Sequence, residues 1–279
     1  MKEDNIAILL STYNGESYLK NQIDSIINQD FKNWNLFIRD DGSIDNTLEI
    51  VEEYCEKNKN INLIPDTSNK GAALSFMALL NYVEADYYMF CDQDDIWFNN
   101  KIDTVFKILK EVERGEQKPI LVFSDAQVVD QNLNIMDSSF WSYNKVSPSL
   151  LLSQPEYISI FNCAPGCTMI FNNALKNHLS DYDKNIMMHD WFIMIKALQN
   201  GTVEFSDQAL MMYRQHENNV IGASEISIKE RAQKLTKIKK TLKLQIDTYN
   251  FVKKYTGISI FKFYNLKIKF NFLRHRKSF

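Results

Sequence analysis

The chain of 279 residues predicts an α/β fold: a mostly parallel sheet flanked by helices and followed by a basic helical extension. Three observations predict it. Short apolar runs alternate with segments of helical spacing four times between Ile6 and Glu113. Each run stops at polar or charged residues. From residue 225 onward the composition turns strongly basic. Alternation of this kind builds parallel sheets with right-handed crossovers. Loops after successive strands then gather on one sheet edge, where such sheets bind ligands.

Residues 6–10 read as a buried strand, and Ser11-Thr-Tyr-Asn-Gly15-Glu as a turn broken by Asn-Gly. Leu19, Ile23, Ile26 and Ile27 give residues 18–29 helical spacing. Residues 34–38 form the second strand, closed by Arg39-Asp40-Asp41-Gly42-Ser43. Asp45 or Ser43 caps a helix running to about Lys57. Residues 61–64 are the third strand, and Asn69-Lys70-Gly71 opens a helix to about Val83. A fourth strand covers 87–91 and a fourth helix 101–113.

The second half alternates less cleanly. Strands are expected at 119–125 and within 126–135, the latter turning at Asp130-Gln-Asn132. Residues 150–160 read as helical, 168–171 as a short strand, and Ile186 to Trp191 leads into a helix ending near Asn200-Gly201. Strands follow at 203–205 and 209–213. Residues 226–255 read as one long helix whose stripe includes Leu235, Ile238, Leu242, Ile246, Tyr249 and Val252. Residues 258–272 fit strand alternation and helical spacing equally.

The fourth strand ends in Asp92-Gln93-Asp94-Asp95, three carboxylates in four residues. Charges this close repel, so the cluster needs a cation or shifted pKa values. An oxygen-liganded divalent ion, Mg²⁺ or Mn²⁺, suits it. The plainer use is an acidic turn whose Asp95 caps the helix opening near Asn100.

Cys55, Cys91, Cys163 and Cys167 show no zinc spacing and read as buried free thiols of a reducing compartment. Nothing at the N-terminus resembles a signal peptide, and no stretch approaches the roughly 18 apolar residues of a membrane span. The expected location is cytoplasmic. Residues 225–279 hold 15 of the 32 Lys and Arg and 3 of the 35 acids, a charge of +12 against −15 for the rest. Such asymmetry implies a separate partner for the tail. A nucleic acid is not expected, because the acidic main body repels its backbone.

Six motifs in order resemble family 2 glycosyltransferases with the Rossmann-like GT-A fold. They are Ser11-Thr-Tyr-Asn-Gly-Glu16, Asp40-Asp41-Gly-Ser, Asn69-Lys-Gly71, Asp92-Gln-Asp-Asp95, His189-Asp190-Trp191 and Tyr213-Arg-Gln-His216. Asp92-Gln-Asp-Asp-Ile-Trp97 with His189-Asp-Trp191 and Arg214-Gln-His216-Glu-Asn-Asn219 looks most like the bacterial rhamnosyltransferase-like branch. The resemblance covers about residues 5–222.

It implies a catalytic domain over 1–224, with a nucleotide-sugar half (1–115) and an acceptor half (116–224); the basic amphipathic extension over 225–279, read from its charge and spacing, has no match in the family. The resemblance also implies roles. Thr12, Tyr13 and Asp40 hold the base, with Asn14, Glu16 and Asp41 nearby. Lys70 and Gly71 lie near the base or diphosphate. Asp92 and Gln93 face the nucleotide sugar, Asp94 and His216 serve the metal, and Asp190 is the catalytic base. The implied activity is inverting, metal-dependent transfer of a sugar, rhamnose first. The donor is a pyrimidine nucleoside diphosphate sugar and the acceptor a saccharide or lipid-linked saccharide, in cell-surface polysaccharide synthesis.

Each residue also has a plainer use. Asp190 suits a helix start, His216 a packed loop, Asp40 and Asp41 a turn, and Thr12 a turn hydroxyl. Phe140-Trp141-Ser-Tyr143 suits sugar stacking, core packing or a lid anchor. A nucleotidyl-transferring enzyme lacks its Gly-x4-Gly-Lys loop here. Another UDP-sugar transferase, or a non-catalytic nucleotide-sugar binder, remains the alternative. For the tail, the expectations are peripheral contact with an anionic membrane, packing on the catalytic domain, or pairing in a homo-oligomer.

Overall fold

Side chains alternate across a strand, so a strand covered on both faces is apolar throughout. The first strand shows this: Ile6, Ile8 and Leu10 join one core, Ala7 and Leu9 the other, all fully buried. The computed structural model describes residues 4–184, 186–216 and 234–276, with the backbone alone for 234–241, 275 and 276. In chain order the elements are β1 (Ile6–Thr12), α1 (Leu19–Ile27), β2 (Trp34–Asp40), α2 (Thr47–Lys57), β3 (Ile61–Leu63), α3 (Ala72–Tyr82), β4 (Tyr87–Cys91), β5 (Ile96–Trp97) and α4 (Lys101–Glu113). Then come β6 (Ile120–Val129), β7 (Ile135–Asp137), α5 (Phe140–Asn144), α6 (Pro148–Ser153), β8 (Met169–Asn172), α7 (Asn173–Lys176), α8 (His189–Asn200), β9 (Thr202–Arg214), α9 (Lys234–Thr256) and α10 (Ile260–Arg276).

The sheet runs β3-β2-β1-β4-β8-β6-β9-β5, with β7 paired to β6. The strands β3, β2, β1 and β4 are parallel, as are β6 and β9, whereas β8 is antiparallel to both neighbours. The helices α1, α2 and α4 cover the face of Ile8 and Met89. The face of Leu9 and Phe90 is covered by α3, α8 and the C-terminal helices.

The first half matches the expected elements to within a few residues, with the short strand β5 added. The second half differs in three places. The strands expected at 119–125 and from 126 are one strand, β6, because it pairs with β9 from Ile120 to Val129 across irregular register on either side of Asp125. The two short strands after Thr202 are likewise one, with a bulge between Ser206 and Ala209 absorbing the extra residues. The helix expected at 150–160 stops at Ser153 and resumes as a 3₁₀ turn, Pro155–Ser159. Proline supplies no N–H to continue it.

The ambiguous stretch after Ile258 is helical. Phe263, Leu266 and Phe270 are buried at spacings of three and four, in the same core as α3 and α8. Of the long-helix stripe, Val252 is buried, Leu242 and Ile246 are exposed, and residues 226–233 lie outside the described residues. The described end of the extension thus packs on the body of the sheet and its helices. Among the described residues no helix is long and apolar enough to cross a membrane. Cys91, Cys163 and Cys167 are buried free thiols, and Cys55 is half-buried.

Candidate active site

The neighbours β1 and β4 are far apart in sequence, so the loops leaving their carboxyl ends face each other across the switch in strand order. A cleft of about 1160 Å³ opens there. Gln93 ties its two edges. Its Oε1 accepts from Thr12 Oγ1 (2.6 Å) and the Tyr13 N–H (2.8 Å), and its Nε2 donates to the Tyr13 carbonyl (3.0 Å). Gly15 permits this approach, since a Cβ there would lie 2.3 Å from Gln93 Oε1.

The acidic turn does not cap a helix. Asn100 precedes α4, while Asp95 points inward and accepts the Arg214 N–H (3.0 Å). The Arg214 guanidinium donates from Nε to the Asp94 carbonyl (2.6 Å) and lies 4.6 Å above the Tyr18 ring. Next to it, His216 Nε2 meets Asp94 Oδ2 at 2.7 Å, and its ring stacks on Tyr18 at 5.0 Å. The arrangement joins Asp94 and His216 across 122 residues of sequence.

Behind the turn lies the buried ammonium of Lys101, 2.5 Å from the Cys167 carbonyl and 4.0 Å from the Trp97 ring centre. Burial lowers its pKa to about 8, against the pull of Asp95 and Asp92. Burial, then the Asp94 charge, pushes Asp92 up to about 7. Burial likewise raises Asp95 well above the ordinary carboxylate range. Sequence reasoning placed Lys101 only as a helix start and gave Arg214 no role. Its membership of the His216 motif was the available signal for Arg214.

Asp92, Asp95 and Cys167 have potential ligand atoms within 4.8 Å of one another. Cys167 is buried, however, and its soft sulfur is not a ligand that Mg²⁺ or Mn²⁺ prefers. Lys101 already supplies positive charge on that inner side. On the outer side Asp92, Asp94 and His216 line the cleft, with Asp94 and His216 in direct contact, and carboxylate oxygens of this kind suit Mg²⁺ or Mn²⁺.

On the nucleotide side the structure separates the expected residues. Thr12, Tyr13, Asn14, Asp41, Gly71, Asp92 and Gln93 line the cleft, but Asp40, Glu16 and Lys70 do not. Asp40 is spent on its own turn, accepting the Gly42 and Ser43 N–H groups (3.1 and 2.9 Å). Asp41 takes the facing position expected of Asp40. It accepts from Arg39 Nη1 (2.6 Å) and from the Lys70 and Gly71 N–H groups (both 2.8 Å). Glu16 braces the start of α2 through the Asn46 N–H (3.0 Å). Lys70 turns to Asp66 (2.9 Å) and Ser68 (2.6 Å).

The second half of the chain closes the cleft with Phe140, Asn144, Phe161, Asn162 and Trp191, of which the sequence singles out only the aromatic run at Phe140 as a candidate for sugar stacking. Phe140 faces the cleft, whereas Trp141 is core and donates from Nε1 to the Cys163 carbonyl (2.8 Å). Asp190 stands in the first turn of α8 and lines the cleft. Met188, not Asp190, occupies the capping position. Burial raises the Asp190 carboxyl to about 6, against N–H groups from Trp191 and Gly166. His189 is buried against Phe76 (4.3 Å), and burial lowers its pKa to about 3.

Gly166 carries both neighbours, since a Cβ there would lie 2.5 Å from His189 Nε2. Gly166→Ala is therefore expected to shift the start of α8 and cost about 10²-fold in turnover, as small misplacements of a reacting group do. Donor affinity should change little. Steady-state kinetics with a donor titration checks it.

Residues 7–179 match the model of glycosyl transferase family 2. The chain is similar to dTDP-rhamnosyl transferase RfbG of Shigella flexneri, 33% identical over 81% of this chain and 78% of that protein. It is also similar to UDP-Glc:alpha-D-GlcNAc-diphosphoundecaprenol beta-1,3-glucosyltransferase WfgD of Escherichia coli, 25% identical over 71% of each. The fold resembles S. aureus TarS 1–349 in complex with UDP, with a TM-score of 0.59 at 22% identity, over 76% of this chain and 60% of that one. With six motifs converging on one cleft, the chain belongs to glycosyl transferase family 2 and is a nucleotide-sugar-dependent glycosyltransferase of the GT-A fold.

Proposed function

We propose that the protein is an inverting transferase that moves a sugar, rhamnose first, from a pyrimidine nucleoside diphosphate donor to a saccharide or lipid-linked saccharide. One observation carries this reading: a single cleft holds the Asp92–Asp94–His216 group on its nucleotide side and the raised carboxyl of Asp190 on its acceptor side. A binder needs the first but not the second.

Thr12, Tyr13 and Asn14 border the base and Asp41 accepts its imide N–H. That carboxylate has three donors already and about four lone-pair sites. Gly71, Asp92 and Gln93 border the ribose and diphosphate. Asp94, with Asp92 and His216, would hold Mg²⁺ or Mn²⁺. The ion, when bound, offsets the charge gained by the departing diphosphate. Asp190 takes the proton of the acceptor hydroxyl as its oxygen forms the new bond to the sugar C1. The old C1–O bond breaks with its electron pair leaving on the nucleoside diphosphate. The sugar passes through an oxocarbenium-like state, as in glycoside hydrolysis.

The activities for which the relatives are named support the finer choices. RfbG is a dTDP-rhamnosyl transferase, and WfgD acts on a diphosphoundecaprenol-linked sugar. The enzyme accordingly works on the cytoplasmic side of the cell membrane, touching it peripherally, in cell-envelope polysaccharide synthesis. The deciding experiment is a panel of nucleotide sugars scored for release of nucleoside diphosphate with Mg²⁺, with Mn²⁺ and with chelator. Deoxythymidine and uridine diphosphates should raise Tm where guanosine diphosphate does not. The reverse order would overturn the pyrimidine assignment.

A further inference from the structure

The helix α10 has two apolar faces. Phe263, Leu266 and Phe270 pack inward, with Phe270 flat against Phe161 (ring centres 4.4 Å apart). On the opposite side Phe261, Tyr264 and Ile268 are 86%, 42% and 70% exposed. Their spacing of three and four residues sets them in one stripe. A continuous exposed stripe of large apolar side chains marks an interaction surface. Its flanks are basic: Lys262 and Lys269 lie on one side and Lys267 on the other, and residues 260–276 contain no Asp or Glu. Lys262 is paired with Glu156 (2.6 Å), so Lys269 is the more available charge on its flank.

We propose that this outer face of α10 lies in the headgroup layer of an anionic bilayer. An apolar stripe with cationic borders fits a surface that is anionic outside and apolar beneath. The stripe is too short and too one-sided to cross, so the helix lies in the membrane plane. Its inner face carries the consequence for the cleft. Arg274 Nη2 donates to the Asn144 carbonyl (2.9 Å), and Asn144 and Phe161 both line the acceptor side. Docking α10 therefore sets that rim at the level of lipid headgroups, which is where a lipid-linked acceptor presents its sugar. This last step rests on the proposed acceptor class; the docking itself does not.

The test uses the full chain and flotation with vesicles of phosphatidylglycerol and phosphatidylcholine, or of phosphatidylcholine alone, at low and high salt. The wild-type chain should float with anionic vesicles at low salt and lose them at high salt. The triple variant Phe261→Ser, Tyr264→Ser, Ile268→Ser should partition at least about tenfold less, and Lys269→Glu should weaken binding without touching the apolar stripe. Both variants should keep the parental Tm and nucleoside diphosphate release with a water-soluble acceptor, while transfer to a vesicle-embedded acceptor falls. Failure of the wild type to float, or equal flotation of the triple variant, overturns the proposal. So does a dimer in light scattering that the triple variant converts to monomer, because the stripe is then a subunit interface. Flotation without nucleotide-sugar turnover would instead sink the proposed reaction and leave the docking intact.

Discussion

Asp190→Asn is expected to lower transfer by about 10²–10⁴-fold, the usual contribution of a positioned general base, with donor affinity unchanged. An amide fills the same space but cannot take the acceptor proton. Because burial lifts Asp190 to about 6, the parental kcat/KM should fall on the acid side near that pH, and the variant should lose that limb. Stability should move the other way. The folded state holds the Asp190 proton more tightly than the unfolded chain, whose carboxyl titrates at 3.8. The charged form therefore opposes folding, an effect that grows as pH rises through the window from about 4 to about 6 and persists above it. Asp190→Asn should accordingly raise Tm at pH 7.5 and have little effect at pH 4. Transfer within about tenfold of the parent would remove Asp190 from the reaction.

Asp94→Asn is expected to cost about 10³-fold or more in turnover, by weakening the ligand set offered to the ion and freeing His216 from its 2.7 Å contact. His216→Ala should cost less, since the carboxylates remain. Separating an ion-binding effect from a folding effect is straightforward. Titration of Mn²⁺ followed by its paramagnetic signal should show weaker binding to the Asp94→Asn chain at unchanged Tm. Parental turnover of that variant in chelator would exclude an ion role for Asp94.

Much of the architecture was legible because β1 and β4 are buried on both faces, so their apolar runs are uninterrupted, and because β2 and β3 keep shorter apolar runs between segments of helical spacing. The order of loops on one edge followed from topology alone. What escaped sequence reading depended on direction or on long-range pairing. Asp40 and Asp41 are adjacent turn residues of identical chemistry, and only the path of the chain after β2 decides which one faces the cleft. Lys70 carries the charge a diphosphate needs, yet Asp66, four residues earlier, captures it. The two residues of β5 owe their strand to β9, more than a hundred residues later, and carry no local pattern. Residues 258–272 were ambiguous because α10 is apolar on two sides, which blurs helical periodicity.

The junction of Asp94 and Asp95 with Arg214 and His216 also sets an order of events during synthesis. The carboxylates emerge about 120 residues before their partners. At roughly 5–20 residues per second, a growing chain waits about 6–24 s with that turn unlatched. During this interval β1 to β4 can already pair and Gln93 can tie the turn to Thr12 and Tyr13, but Asp94 and Asp95 still lack the contacts from Arg214 and His216. Full donor affinity should thus appear only after the ribosome has passed the end of β9, and a stalled fragment ending before Arg214 should be folded in part and bind the donor more weakly than the whole chain.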